Sequence, residues 1–267
     1  MKVIDVYDNN SDLKSYGKNI FATTSNYLKK FPSEYSECFL NNLKTLELIK
    51  VNIIDGVMTA RYNTYENIIE FSNANALGHE LFHMASNDLK SGLYAFESKM
   101  NIESGLIEGM TEYSCMKAYY LKYPRSYPFE VFTVMMLEDI PNIFRPYFVP
   151  SNRDLINLFP NRKDIYGLLY SLDAYNKIML DYITSTYTDE DILIDIQEFA
   201  ESVKYTIINL INIELSFEKD KDKLKAYRDK FMDLISSKWV SSNITEIYPN
   251  YLDMVNKEIN KRIKRRR

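Results

Sequence analysis

Apolar residues recur at helical spacing through the second half of the chain. Ile165, Leu168, Leu169, Leu172, Tyr175 and Met179 form one stripe; Ile192, Ile196, Phe199, Val203, Ile207 and Leu210 form a second; Leu224, Tyr227, Phe231 and Leu234 form a third. Residues 131–140 add another helical segment, and Ser151-x-x-Asp154 has capping-box character before a short helix. The first half is mixed. Phe39, Leu40 and Leu43 have helical spacing, but residues 46–54 are rich in β-branched side chains and read as a strand. Asp55-Gly56 signals a tight turn, 57–62 a returning strand and 67–71 a third, so the pattern predicts an antiparallel meander over 46–71. Ser72 and Asn73 can cap a helix over about 74–85. Residues 86–99 are polar and contain Gly92, which predicts a loop or short hairpin. A further helix over about 104–120 is ended by Tyr123-Pro124. The fold class is therefore α+β: a mixed N-terminal lobe over residues 1–123 and a mainly α-helical lobe over 124–267 that completes a cleft.

Composition narrows the class. The 267 residues are 46% hydrophobic and 26% charged, which suits a globular protein with a substantial core. A net charge of −4 argues against nucleic acid as the main partner. The basic run at 261–267 reads as a solvated end. Cys38 and Cys115 make no disulfide framework and read as small buried hydrophobes. No apolar run approaches the ~20 residues that span a bilayer, and the N-terminus lacks the apolar core of a signal peptide. These features predict a cytoplasmic protein without a membrane span.

The chain contains two histidines, and both lie in His79-Glu80-Leu81-Phe82-His83. On a helix, residues four apart share a face, so both imidazoles can reach one tetrahedral Zn²⁺. Glu80 then points near the same cavity without binding the metal. Two histidines placed at random rarely fall at this spacing with a glutamate next in line. A catalytic zinc takes three protein ligands and keeps one open position. With no third histidine, the third ligand is a carboxylate or Cys115. The segment Gly105-Leu106-Ile107-Glu108-Gly109-Met110-Thr111-Glu112 offers two carboxylates one helical turn apart. One can bind zinc while the other accepts a hydrogen bond from a ligand histidine.

These two segments resemble the gluzincin metallopeptidases, the thermolysin-like clan, in which an H-E-x-x-H helix is followed by a helix carrying a glutamate ligand. The resemblance covers about residues 67–121. It implies a zincin-like lobe with a small antiparallel sheet and two active-site helices. It implies His79, His83 and Glu108 as ligands of one catalytic Zn²⁺, Glu80 as general base toward a zinc-bound water, and Glu112 as the group that orients a ligand histidine. It also implies that the strand at 67–71 is the sheet edge that binds extended substrate. The expected activity is hydrolysis of a peptide bond in a peptide or protein substrate. The rival reading is a cytoplasmic regulatory or binding protein whose zincin-like core docks one protein partner.

The chain departs from the family at Ile107, where the thermolysin pattern has a substrate-binding asparagine. Ser86 and Leu89 exclude the metzincin extension, since they replace its glycine and third histidine. A group facing the oxyanion must be something other than histidine. Tyr94 resembles a tyrosine with that role, and Tyr166 and Tyr170 are alternatives on the polar side of their helix.

Overall fold

The computed structural model describes residues 18–52, 59–96, 101–150, 152–188 and 195–264. Helices α1 (Lys18–Leu28) and α2 (Glu37–Asn42) precede three short strands, β1 (Glu47–Lys50), β2 (Ala60–Asn63) and β3 (Ile68–Phe71). A single helical turn at Ala74–Ala76 leads into α3 (Leu77–Ala85). The hairpin β4 (Asn87–Asp88) and β5 (Leu93–Tyr94) then leads to α4 (Ser104–Ala118). The rest is helical: α5 (Pro128–Leu137), α6 (Arg145–Phe148), α7 (Asn152–Asn157), α8 (Arg162–Thr188), α9 (Ile196–Phe217), α10 (Lys221–Ile235), α11 (Lys238–Ile247) and α12 (Tyr251–Lys264).

The sheet corrects the expected meander. Its order is β1-β3-β2, with β1 parallel and β2 antiparallel to β3. β3 buries Ile69 and Phe71 and takes the centre, where both of its edges are paired. β1 carries Glu47 and Lys50 and is mostly exposed, which suits an outer strand. The strand at 67–71 therefore has no free edge. The outer strand beside α3 is β2, which packs against that helix. The expected turn at Asp55-Gly56 lies outside the described residues.

Two asparagines fix the entry and exit of this layer. Asn67 adopts a left-handed backbone, φ 58°, which asparagine tolerates well. Its amide donates to the Asn42 carbonyl at 2.7 Å. Asn42 in turn donates to the carbonyl of Met84 (2.9 Å), an acceptor at the end of α3, and to that of Asn87 (2.7 Å) beyond it. The hairpin follows directly, with Asn87 paired to Tyr94 and left-handed Gly92 (φ 68°) in its turn.

α4 is buried on nearly every side and packs against α1, α3, α5 and α8. Its glycines permit this. A Cβ at Gly105 would lie 2.7 Å from the Leu172 carbonyl oxygen of α8, and one at Gly109 would lie 2.7 Å from the Glu130 carbonyl oxygen of α5. A single hydrophobic core runs from Phe21 to Ile259 across both expected lobes.

The helical stripes behave as expected with one exception. All six positions of the α8 stripe are buried, as are Phe199, Val203, Ile207 and Leu210 in α9. Ile196 is 61% exposed, because it begins α9 next to its cap, Asp195, rather than lying along its packed face. Ile192 is outside the described residues. At the C-terminus, α12 continues to Lys264, and Arg262 donates to Asn212 Oδ1 at 2.8 Å. No described helix is long and apolar enough to cross a membrane.

Candidate metal centre

His79 and His83 lie one turn apart on α3, and Glu108 faces them from α4. His79 Nε2 and His83 Nε2 are 3.0 Å apart. Glu108 Oε2 lies 3.2 Å from the first and 3.3 Å from the second. Ligands about 2.0–2.1 Å from a tetrahedral Zn²⁺ would be roughly 3.3 Å from one another, so this triangle has the right size. Among the described residues, this is the one group of three such side chains close enough to share an ion. Cys115, the alternative ligand, is not in it. Its thiol lines the neighbouring cleft, and burial pushes its pKa up to about 12.

Hydrogen bonds on the far side of each ring aim the lone pairs inward. His79 Nδ1–H donates to Glu112 Oε2 at 2.8 Å. Glu112 is itself held by the backbone N–H groups of Arg125 (2.6 Å) and Ser126 (3.4 Å). Around His83, the Thr111 hydroxyl gives its proton to the Ile107 carbonyl at 2.8 Å and so accepts from His83 Nδ1–H at 3.2 Å. The Tyr94 hydroxyl contacts the same nitrogen. Tyr147 stands behind Thr111 and donates to its hydroxyl at 2.6 Å, with the Phe82 carbonyl 3.2 Å from the same phenol oxygen. Both Nε2 lone pairs and the Glu108 carboxylate thus converge on one point, where they repel unless positive charge sits among them.

The electrostatics agree. Burial opposes a charge on His79, but hydrogen bonds to Glu108 and Glu112, with the field of Glu80, outweigh it and raise its pKa to about 10. Burial would raise Glu108, but the two imidazoles pull it well below the usual carboxylate range. Glu80 is 7% exposed and accepts the Tyr62 backbone N–H of β2. Burial raises its pKa despite both histidines, which strengthens it as a base.

His79 and Glu80 line a cleft of about 730 Å³ beside the group. Thr59 and Ala60 of the β2 region, His79, Glu80 and Tyr127 line its metal end, and Met179 of α8 and Trp239 of α11 its far wall. Ser72 N–H bonds the Thr59 carbonyl on the β3 side. Alternation in an antiparallel ladder then turns the backbone groups of Ala60 and Tyr62 outward, toward α3.

Tyr94 lies behind His83 as a support and does not face the cleft. Tyr166 and Tyr170 line a separate groove between α8 and α9. Tyr127 carried no signal in the sequence, yet it reaches the site. Its ring stacks on His79 at 5.7 Å and 23°. Its hydroxyl hydrogen-bonds Glu108, and burial together with that carboxylate raises its pKa well above the ordinary phenol value, so it stays a donor. Its backbone is left-handed (φ 54°, ψ 48°), a strained state for a residue before proline, and the strain sits at the candidate site.

No protein-family description, curated protein or solved structure matches the chain.

Proposed function

We propose that the chain is a zinc-dependent metallopeptidase of gluzincin type, with a zincin-like arrangement of α3 and α4 beside the β2 edge. The observation that carries this reading is the triangle of His79, His83 and Glu108, with both imidazoles oriented from behind. A Zn²⁺ held there would supply Lewis acidity that brings the pKa of a water toward neutrality. The chain's own residues do the rest. Glu80, buried at the cleft wall with a raised pKa, accepts the proton of the attacking water and returns it to the leaving amine. Tyr127, held protonated beside Glu108, is the donor placed to bond the developing oxyanion. The outward backbone groups of Ala60, which lines the cleft, can pair with an extended peptide.

Purified protein is expected to contain one zinc per chain and to cleave members of a peptide library. A chelator should abolish the activity and added zinc restore it. Glu80→Gln should keep the zinc and lower kcat by about 10²–10⁴. A Glu80→Gln protein that cleaves at the wild-type rate would overturn the mechanism, and protein that binds no zinc would overturn the class.

A further inference from the structure

The carboxyl of Glu130 has no task in the mechanism above. It stands in the first turn of α5, 2% exposed, and lines the cleft. Among the described residues, its one hydrogen-bond partner is its own backbone N–H. Among the described residues, no cation pairs with it. Its electrostatic neighbours are the Glu108 carboxylate and the hydroxyls of Tyr127 and Tyr175. Nor does it join the metal ligands, since the three-residue group excludes it. A buried carboxylate without a counter-charge is costly, and the group avoids that cost only by keeping its proton. The first turn of α5 softens that cost for an anion but supplies no partner.

The walls beside Glu130 are of a different kind. Met179, Ile183, Tyr175 and Trp239 offer apolar and aromatic surface, and Asn176 adds one amide. A ligand suited to this pocket has a long apolar stem and a cationic head. Lysine and arginine side chains have that form. Their stems lie along apolar walls while the head seeks an anion, and Trp239 adds an aromatic face. A carboxylate–cation bond formed away from water is stronger than the same bond on a surface.

We propose that Glu130 and the Tyr175–Met179–Trp239 wall form a specificity subsite for a lysine or arginine side chain of the substrate. Because Glu130 packs against Gly109, the residue after Glu108, and shares the cleft with His79 and Glu80, that side chain belongs to a residue near the scissile bond. The inference rests on the peptidase reading only in taking the cation to be part of a substrate. That no cation among the described residues pairs with it agrees with burial having raised the Glu130 pKa to about 8.

The test uses zinc-loaded Glu80→Gln protein, which should bind peptides without turning them over. The probes are N-acetylated, C-amidated pentapeptides of alanine with lysine, arginine or norleucine at the centre. Binding is followed by calorimetry and by the emission of Trp239, the chain's single tryptophan. Lysine and arginine peptides should bind at least tenfold more tightly than the norleucine peptide. Adding Glu130→Gln should bring that ratio close to one. Equal affinity for lysine and norleucine in the Glu80→Gln protein would overturn the subsite without recourse to a Glu130 variant. So would a preference confined to a norleucine peptide with a free N-terminus, which would mark a terminal-amine site instead. Turnover by protein with Glu80 intact is read separately. Lysine preference without any turnover would keep the subsite and remove the peptidase reading. Turnover without that preference would do the reverse.

Discussion

The proposed role of His79 and His83 as zinc ligands depends on what stands behind them. Glu112 holds the Nδ1–H of His79 and is itself fixed by two backbone N–H groups. Glu112→Gln replaces a charge-assisted bond with a neutral one, and such partners are worth about 10–100-fold in metal affinity. Competition with a fluorescent chelator should show zinc affinity falling by that factor; unchanged affinity would remove Glu112 from the site. Proton competition gives a second expectation. Without metal, His79 keeps its proton up to about pH 10, so zinc binding must displace it. Apparent zinc affinity should therefore rise about tenfold per pH unit between pH 6 and 8, and a flat profile would contradict the assignment. The same shift gives a sign for stability of the metal-free protein. The folded pKa is above the unfolded value of about 6.5, so the contribution is whole below that pH and is lost as pH rises toward 10. The histidine pair was legible in the sequence because helical geometry alone places residues four apart together. Glu108 was legible as a candidate, since a third ligand had to be a carboxylate or a thiol. Tyr127 and Glu130 were not, because a left-handed Tyr-Pro junction and a cleft wall arise from tertiary packing rather than local pattern.

The same division holds for whole elements. Amphipathic period located α8, α9 and α10, where burial follows the stripe. Strand pairing was less legible. Residues 46–71 contain strand-forming runs, but adjacency along the chain does not decide which runs pair. The apolar β3 took the centre and left β2 as the strand beside the site. Nor did periodicity mark α4 as the central helix, since its apolar and small residues surround it rather than forming one stripe. Its position depends on backbone approach at Gly109, next to Glu108. Gly109→Ala sets a Cβ 2.7 Å from the Glu130 carbonyl oxygen, so α4 and α5 must part. Such overpacking costs about 1–3 kcal/mol, measurable by denaturant unfolding. Because Glu108 moves with α4, zinc affinity should fall in the same variant. Lost stability with unchanged zinc affinity would show that the site tolerates displacement of α4.

At the scale of the whole molecule, one core and one cleft draw on residues from both sides of position 123. α4 belongs to the N-terminal part, yet its glycines meet the backbones of α5 and α8. The cleft likewise takes Glu80 and Ala60 from one part and Glu130, Met179 and Trp239 from the other. If the N-terminal part were an independent domain, residues 1–123 alone would fold and bind zinc. The shared core argues against it. Losing the burial of about four large apolar side chains, at about 1.5–3 kcal/mol each, is comparable with the whole stability of a domain, about 5–15 kcal/mol. Leu106 and Met110 of α4, 1% and 0% exposed in the full chain, are among those whose helix would lose α5 and α8. A fragment ending at residue 123 should therefore show no cooperative melt by circular dichroism and should not bind zinc with the affinity of the full chain. A cooperative transition with full-length zinc affinity would instead make the helical part an appendage. The metal triangle would then owe its geometry to α3 and α4 alone, and the second half of the cleft would serve only to choose what enters it.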